Sequence, residues 1–191
     1  MTRWLADWVR IYLHPAEQTF LEVAASPAAR PSTAYLWIFL AGVLFVTSSD
    51  LSYALATPAV LDDNYWLKLP IAALGIGGGL VLSFASSVAI KQWIAKLQSG
   101  TGAYAPLAYL FGAIYAPFAL VASASALLAA LSSMRIVAGA TCGLAFLYAL
   151  YLQILAVKSI NRFGWKEAAL SVLIPFAGVL VFCGLLYQFL M

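Results

Sequence analysis

The sequence contains few charged residues. Only 9% of its 191 residues are Asp, Glu, Lys or Arg, whereas ordinary soluble domains contain about 25%. This scarcity excludes a soluble globular domain, a disordered chain and a nucleic-acid-binding domain, because each of these classes needs more charge. No nucleic acid is therefore expected as a partner.

Cysteine and histidine are also rare, with two Cys and one His in the whole sequence. Two cysteines are too few for a disulfide-stapled secreted module. A lone histidine has no neighbours with which to form a metal site or a nucleophilic catalytic set. We therefore expect no metal, no cofactor and no catalytic residue, and we predict that the protein is not an enzyme.

Long apolar stretches are what the sequence does contain, since 64% of its residues are hydrophobic. Several stretches lack charge over the roughly 20 residues that span a membrane once. Continuous apolar runs favour helices over the alternating strands of a barrel. The sequence thus predicts an all-α integral membrane protein with five transmembrane helices, at about residues 33–55, 67–94, 104–131, 136–157 and 168–190.

Basic residues set the predicted orientation, because they concentrate in cytoplasmic loops. With a cytoplasmic N-terminus, only Lys68 and Arg135 of the ten Lys and Arg fall outside. We predict a multi-pass protein of the cytoplasmic (inner) membrane whose C-terminus lies outside. Several cytoplasmic cations either set this orientation alone or also bind anionic lipid headgroups. These candidates are Lys91, Lys96, Lys158, Arg162 and Lys166.

Residues 1–32 are predicted to form a segment distinct from the membrane domain of residues 33–191. Trp4, Trp8, Ile11 and Tyr12 recur at helical spacing and form one apolar stripe. Such a stripe is typical of an amphipathic helix that lies at the membrane interface, here on the cytoplasmic side. Pro15 is expected to end this helix and to begin a second one.

Two features within the predicted spans are candidates for function. Asp50 lies 17 residues after position 33, about 25 Å along the helix, so it is either a helix-end carboxylate near the outer boundary or a proton or cation site. Pro117 interrupts a backbone hydrogen bond and is expected to kink the third span beside Tyr115. The kink either shapes the bundle or forms the wall of a cavity.

Four glycines form two pairs with a spacing of four residues. Gly75 and Gly79 lie in the second predicted span, and Gly139 and Gly143 in the fourth. Each pair places two small residues on one helix face, which lets another backbone approach closely. We predict helix packing at both faces, inside the bundle or between copies, with a substrate-lined gap as the alternative.

The sequence resembles the Yip (Ypt-interacting protein) domain family of five-span membrane proteins, in its short bacterial form. The similarity lies in the Trp8-Val9-Arg10-Ile11-Tyr12-Leu13-His14-Pro15 stretch and in the glycine-rich loop before Tyr104. It continues through Tyr115-Ala116-Pro117 and the junction of the last two spans at residues 148–170. The resemblance implies a cytoplasmic N-terminus, an external C-terminus and no enzymatic activity.

Family members in eukaryotes associate with small GTPases and vesicle traffic, but their GTPase-linked elements are not matched here, so a small GTPase is not the expected partner. We expect a scaffold or accessory subunit that contacts membrane lipids and either a second copy or another membrane protein. The alternative is a transporter or channel component for a small solute, ion or lipid that uses the kinked third span, Asp50 and the glycine segment of the second span.

Overall fold

The computed structural model of the protein describes residues 3–57 and 65–190, and the side chains of residues 4–57, 65 and 68–178. These residues form helices and no strand, so the predicted all-α fold is confirmed for this part of the chain. The helices are α1 (Arg3–Leu13), α2 (Glu17–Ala24), α3 (Pro31–Ala56), α4 (Tyr65–Leu97), α5 (Tyr104–Ala129), α6 (Arg135–Asn161) and α7 (Trp165–Leu190). One 3-10 turn, Ser132–Met134, precedes α6.

Among the described residues, four segments are long and apolar enough to span a membrane, and they coincide with the first four predicted spans. They are Pro31–Ala56, Lys68–Leu97, Tyr104–Ala129 and Ser132–Asn161. The chain is therefore a membrane protein by the length and composition of its helices. Helix α7 has 26 residues and occupies the region of the fifth predicted span. A crossing by α7 stays a prediction.

Two helices continue past the lysines near which the predicted spans stop. Helix α4 extends to Leu97 beyond Lys91 and Lys96, and α6 extends to Asn161 beyond Lys158. Lysine has a good helix propensity, and its long apolar stem lets the ammonium leave the apolar zone. A lysine therefore ends an apolar run in the sequence without ending the helix.

The five long helices form a ring in the order α3, α4, α7, α6 and α5. Helix α5 supplies much of the core, with Tyr109, Phe111 and Ile114 fully buried. It approaches α3 closely, since a Cβ atom added to Gly112 would lie 2.6 Å from the Cβ atom of Ala34. Small residues at this crossing let the two backbones pack directly.

Large apolar side chains cover the outer surface of the ring. Leu74 in α4 and Leu144 in α6 are exposed, and Ile136 retains 87% of its surface. Water would disfavour so many exposed apolar groups, whereas lipid tails would not. This surface fits a bundle whose outer face contacts the membrane interior.

Helices α1 and α2 form an N-terminal helix pair that packs against the bundle. Helix α1 contacts α5, and α2 contacts α6 and α5. The apolar residues Ile11, Phe20 and Val23 are almost completely buried there. The break predicted at Pro15 is present, although α2 begins at Glu17 rather than at the proline. The apolar stripe of α1 therefore faces protein, and its position at a membrane interface stays a prediction.

Candidate functional site

Lys91 is a buried lysine that points into the bundle. Its side chain is only 5% exposed, and its Nζ atom lies 2.8 Å from Oε1 of Gln153 in α6. The same ammonium lies 4.8 Å from the ring centroid of Phe111, a cation–π contact. The sequence grouped Lys91 with the surface lysines, whereas the structure turns it into the bundle; its contact with an anionic lipid headgroup stays a prediction. The residue lies about 9 Å inside the end of α4, and it reaches α6 rather than the surface.

Gln153 connects three helices at this point. Its Oε1 atom accepts a hydrogen bond from Lys91 and a second one, of 3.0 Å, from the Tyr115 hydroxyl in α5. We refer to Lys91, Gln153 and Tyr115 as the Lys91 cluster. Tyr115, which was named from the sequence beside the expected kink, also lines an adjacent cavity. Gln153 was not identified from the sequence as a site residue. The signal that could have identified it is its position as an isolated amide within an apolar run.

The Lys91 cluster borders a cavity of about 730 Å³ between α4, α5 and α7. Three hydroxyl-bearing residues of α4 line it, and we therefore call it the serine cavity. Leu82, Ile90 and Phe176 add apolar walls. The serines are Ser83, Ser86 and Ser87. The cavity is thus lined by a cation and by several hydroxyl groups, all within a helix long and apolar enough to span a membrane.

A second cavity, of about 500 Å³, lies on the other side of Tyr115 among α3, α4, α5 and α6. It shares Ser83, Ser87 and Tyr115 with the serine cavity, but the rest of its lining is largely apolar. Phe45 and Phe118 are among its walls. We call it the apolar cavity. The two cavities therefore meet at a boundary of three polar residues.

Pro117 lies within α5, and the N-terminal helix pair contacts the turn before it. The Tyr12 hydroxyl donates a 2.6 Å hydrogen bond to the carbonyl oxygen of Ile114. Pro117 lacks an N–H group and leaves the Ala113 carbonyl without its helical donor, and Tyr12 adds a donor at the adjacent carbonyl of the same turn. Burial raises the pKa of Tyr12 above its ordinary value, which keeps the hydroxyl protonated as a donor.

A second buried bond joins the same helices. The Tyr109 hydroxyl donates a 2.6 Å hydrogen bond to Oδ2 of Asp7, which is only 8% exposed. Three aromatic rings pack in a row beside this bond. The ring centroid of Trp37 lies 5.4 Å from that of Trp8 and 5.0 Å from that of Tyr109. Helix α1 is thus fixed to the bundle by polar and aromatic contacts together.

Ion pairs hold the outer side of the N-terminal helix pair. Arg10 pairs with Glu22, which links α1 to α2. Lys158 at the end of α6 pairs with Glu17, and its Nζ atom lies 5.0 Å from the ring centroid of Trp165. Lys158 is therefore already paired within the chain. By contrast, Lys96, Arg162 and Lys166 are exposed, and their contact with anionic lipid stays a prediction.

The loop between α4 and α5 is tied to the end of α6. The Gln92 amide nitrogen donates to the Gly102 carbonyl oxygen at 2.6 Å, and the Gly102 N–H donates to Oδ1 of Asn161 at 3.1 Å. A Cβ atom at Gly100 would lie 2.6 Å from the same Asn161 oxygen. Glycine is therefore required where this loop passes α6.

Among the described residues, the four glycines selected from their spacing make no close contacts. A Cβ atom added to Gly75, Gly79, Gly139 or Gly143 would meet no described atom within 4 Å. Helix packing at these glycines, inside the bundle or between copies, stays a prediction. Gly77 of α4 packs inward against Gly42 of α3. A Cβ atom added to Gly42 would lie 3.2 Å from the Cα atom of Gly77.

Asp50 lies near the end of α3 and lines neither cavity. Burial raises the pKa of Tyr65, at the start of α4, and the charge of Asp50 raises it further. The carboxylate is thus close to the end of α4 opposite Lys91. This position agrees with a helix-end carboxylate rather than with a group of the Lys91 cluster.

Comparison with family models, with curated proteins and with solved structures finds no match to this chain.

Proposed function

We propose that the protein is a non-enzymatic, five-span membrane protein of the Yip type that acts as a scaffold or accessory subunit. Its N-terminus is cytoplasmic and its C-terminus external in this proposal. The supporting observation is the face of α6 where Gly139 and Gly143 are exposed and where an added Cβ atom meets no atom of the described residues within 4 Å. Such a face lets the backbone of a second helix approach closely in the membrane.

Replacement of both glycines tests this role. The double variant Gly139→Leu with Gly143→Leu fills the face with side chains, so the fraction of protein in oligomers or partner complexes falls. Ala124→Leu, at an exposed small residue of α5, is the matched control and leaves association unchanged. Size analysis in mild detergent and cross-linking in membranes give the readout. A strict monomer in detergent and in lipid, with no partner cross-linked in cells, would refute the scaffold role.

A second candidate function is transport or binding of a small solute, ion or lipid within the bundle. The specific observation behind it is the Lys91 cluster beside the serine cavity, because ionisable groups within spans usually mark substrate pathways. Reconstituted vesicles test for flux directly. Flux that persists unchanged in Lys91→Gln would exclude a pathway through this cavity.

A further inference from the structure

We propose that the serine cavity and the apolar cavity together bind one anionic lipid, with its headgroup at Lys91. The inference is independent of the scaffold role and gives the second candidate function a class of ligand. It depends on the charge of Lys91, on the hydrogen-bonding groups around it and on the three lining residues that the two adjacent cavities share.

The charge of Lys91 is not balanced by the part of the chain that the structure describes. No described carboxylate lies within ion-pair distance of its ammonium, and its one hydrogen bond there goes to the neutral amide of Gln153. Burying an unpaired charge is costly, and such charges normally acquire a partner. An anion in the adjoining cavity would provide that partner.

The hydrogen-bonding capacity of the site also favours an anion. Gln153 Oε1 already accepts from both Lys91 and Tyr115, so the main acceptor of the cluster is used. A lysine ammonium has three N–H donors, which leaves two of them for ligand oxygens. The serine hydroxyls of the cavity can donate as well. A phosphate or carboxylate group, which offers only acceptors, matches this set.

The apolar cavity indicates that the anion carries a hydrocarbon chain. It meets the serine cavity at Ser83, Ser87 and Tyr115, and aromatic and aliphatic side chains form most of its remaining wall. A lipid with its headgroup at Lys91 and an acyl chain past Tyr115 would fill both spaces. A free inorganic anion would occupy only the polar one.

Lipid titration of the purified full chain, followed by native mass spectrometry, tests this inference. The probes are phosphatidylglycerol, phosphatidylcholine and inorganic phosphate. We expect Lys91→Gln to weaken phosphatidylglycerol binding by about tenfold or more, because a charge-assisted hydrogen bond is lost. Lys68→Gln, an exposed lysine at the opposite end of the same helix, is the matched control and changes binding by less than about twofold.

A second variant keeps the test informative if Lys91→Gln does not fold. Ser86→Leu fills the serine cavity while Lys91 stays in place, and it also reduces phosphatidylglycerol binding. Equal binding by the wild type and both cavity variants would overturn the proposal. So would an equal loss in Lys68→Gln, since the headgroup would then bind at the surface. Tighter binding of inorganic phosphate than of phosphatidylglycerol would overturn the assignment to a lipid.

Discussion

Replacing Tyr109 with phenylalanine measures how much one buried hydrogen bond contributes to the free energy with which α1 docks on the bundle. The substitution keeps the ring that packs beside Trp37 and removes only the hydroxyl that donates to Asp7. A hydrogen bond to a charged group contributes about 1.5–3 kcal/mol. Taking about 2 kcal/mol, the equilibrium for release of α1 rises about 30-fold. The fold of the bundle itself does not depend on this bond.

Hydrogen exchange measures this release directly, because amides exchange when a segment opens locally. The amides of α1 should exchange about 30-fold faster in Tyr109→Phe, while those of α5 keep their rates. Tyr53→Phe, an exposed tyrosine of α3, is the matched control. A double-mutant cycle with Asp7→Ala isolates the energy of the pair. Unchanged exchange in α1, or a coupling energy near zero, would refute the reasoning.

Three further predictions concern packing, topology and pH. Gly112→Val forces α3 and α5 apart and should reduce stability by about 1–3 kcal/mol. Gly78→Val, where an added Cβ atom meets no described atom within 4 Å, is the control and should leave the melting temperature unchanged. Equal melting of both variants would contradict this packing. Single cysteines between α3 and α4 should react with an impermeant reagent outside the cell, and those between α6 and α7 only from inside; the reverse pattern would overturn the predicted topology. Hydrogen bonds from Gln18 and Arg10 lower the pKa of Glu22 below its ordinary 4.5. The stabilising contribution of Glu22 is therefore complete above pH 4.5 and is lost as pH falls through the lowered pKa. Hydrogen exchange of the α2 amides, measured against pH, should show this loss, and Glu22→Gln should remove the pH dependence.

The positions of the helices follow from the sequence because charge is so scarce. A charge-free run long enough to span the membrane marks each of α3 to α6, and Pro15 marks the break between α1 and α2. Which face of each helix points inward does not follow, since α3 to α6 are apolar all round. Spacing alone therefore selected Gly75 and Gly79, whereas the structure packs Gly77 against Gly42.

The Lys91 cluster shows why the site was only partly predictable. Lys91 appeared to belong with the surface lysines because it is close to them in the sequence. Its direction depends on Gln153, which lies 62 residues away on another helix. Tyr115 was identified only because it adjoins Pro117. Partners that meet through tertiary packing leave no local pattern in a single sequence.

The contacts of the N-terminal helix pair determine the order in which the protein can assemble. Tyr12 is synthesised early, yet its hydrogen-bonding partners Ile114 and Tyr148 follow 102 and 136 residues later. Helices α1 and α2 precede α5 and α6 in the chain, so Ile11 and Phe20 stay unburied until α5 and α6 are in place. The N-terminal helix pair is thus made before the helices that it packs against, and its docking must follow theirs.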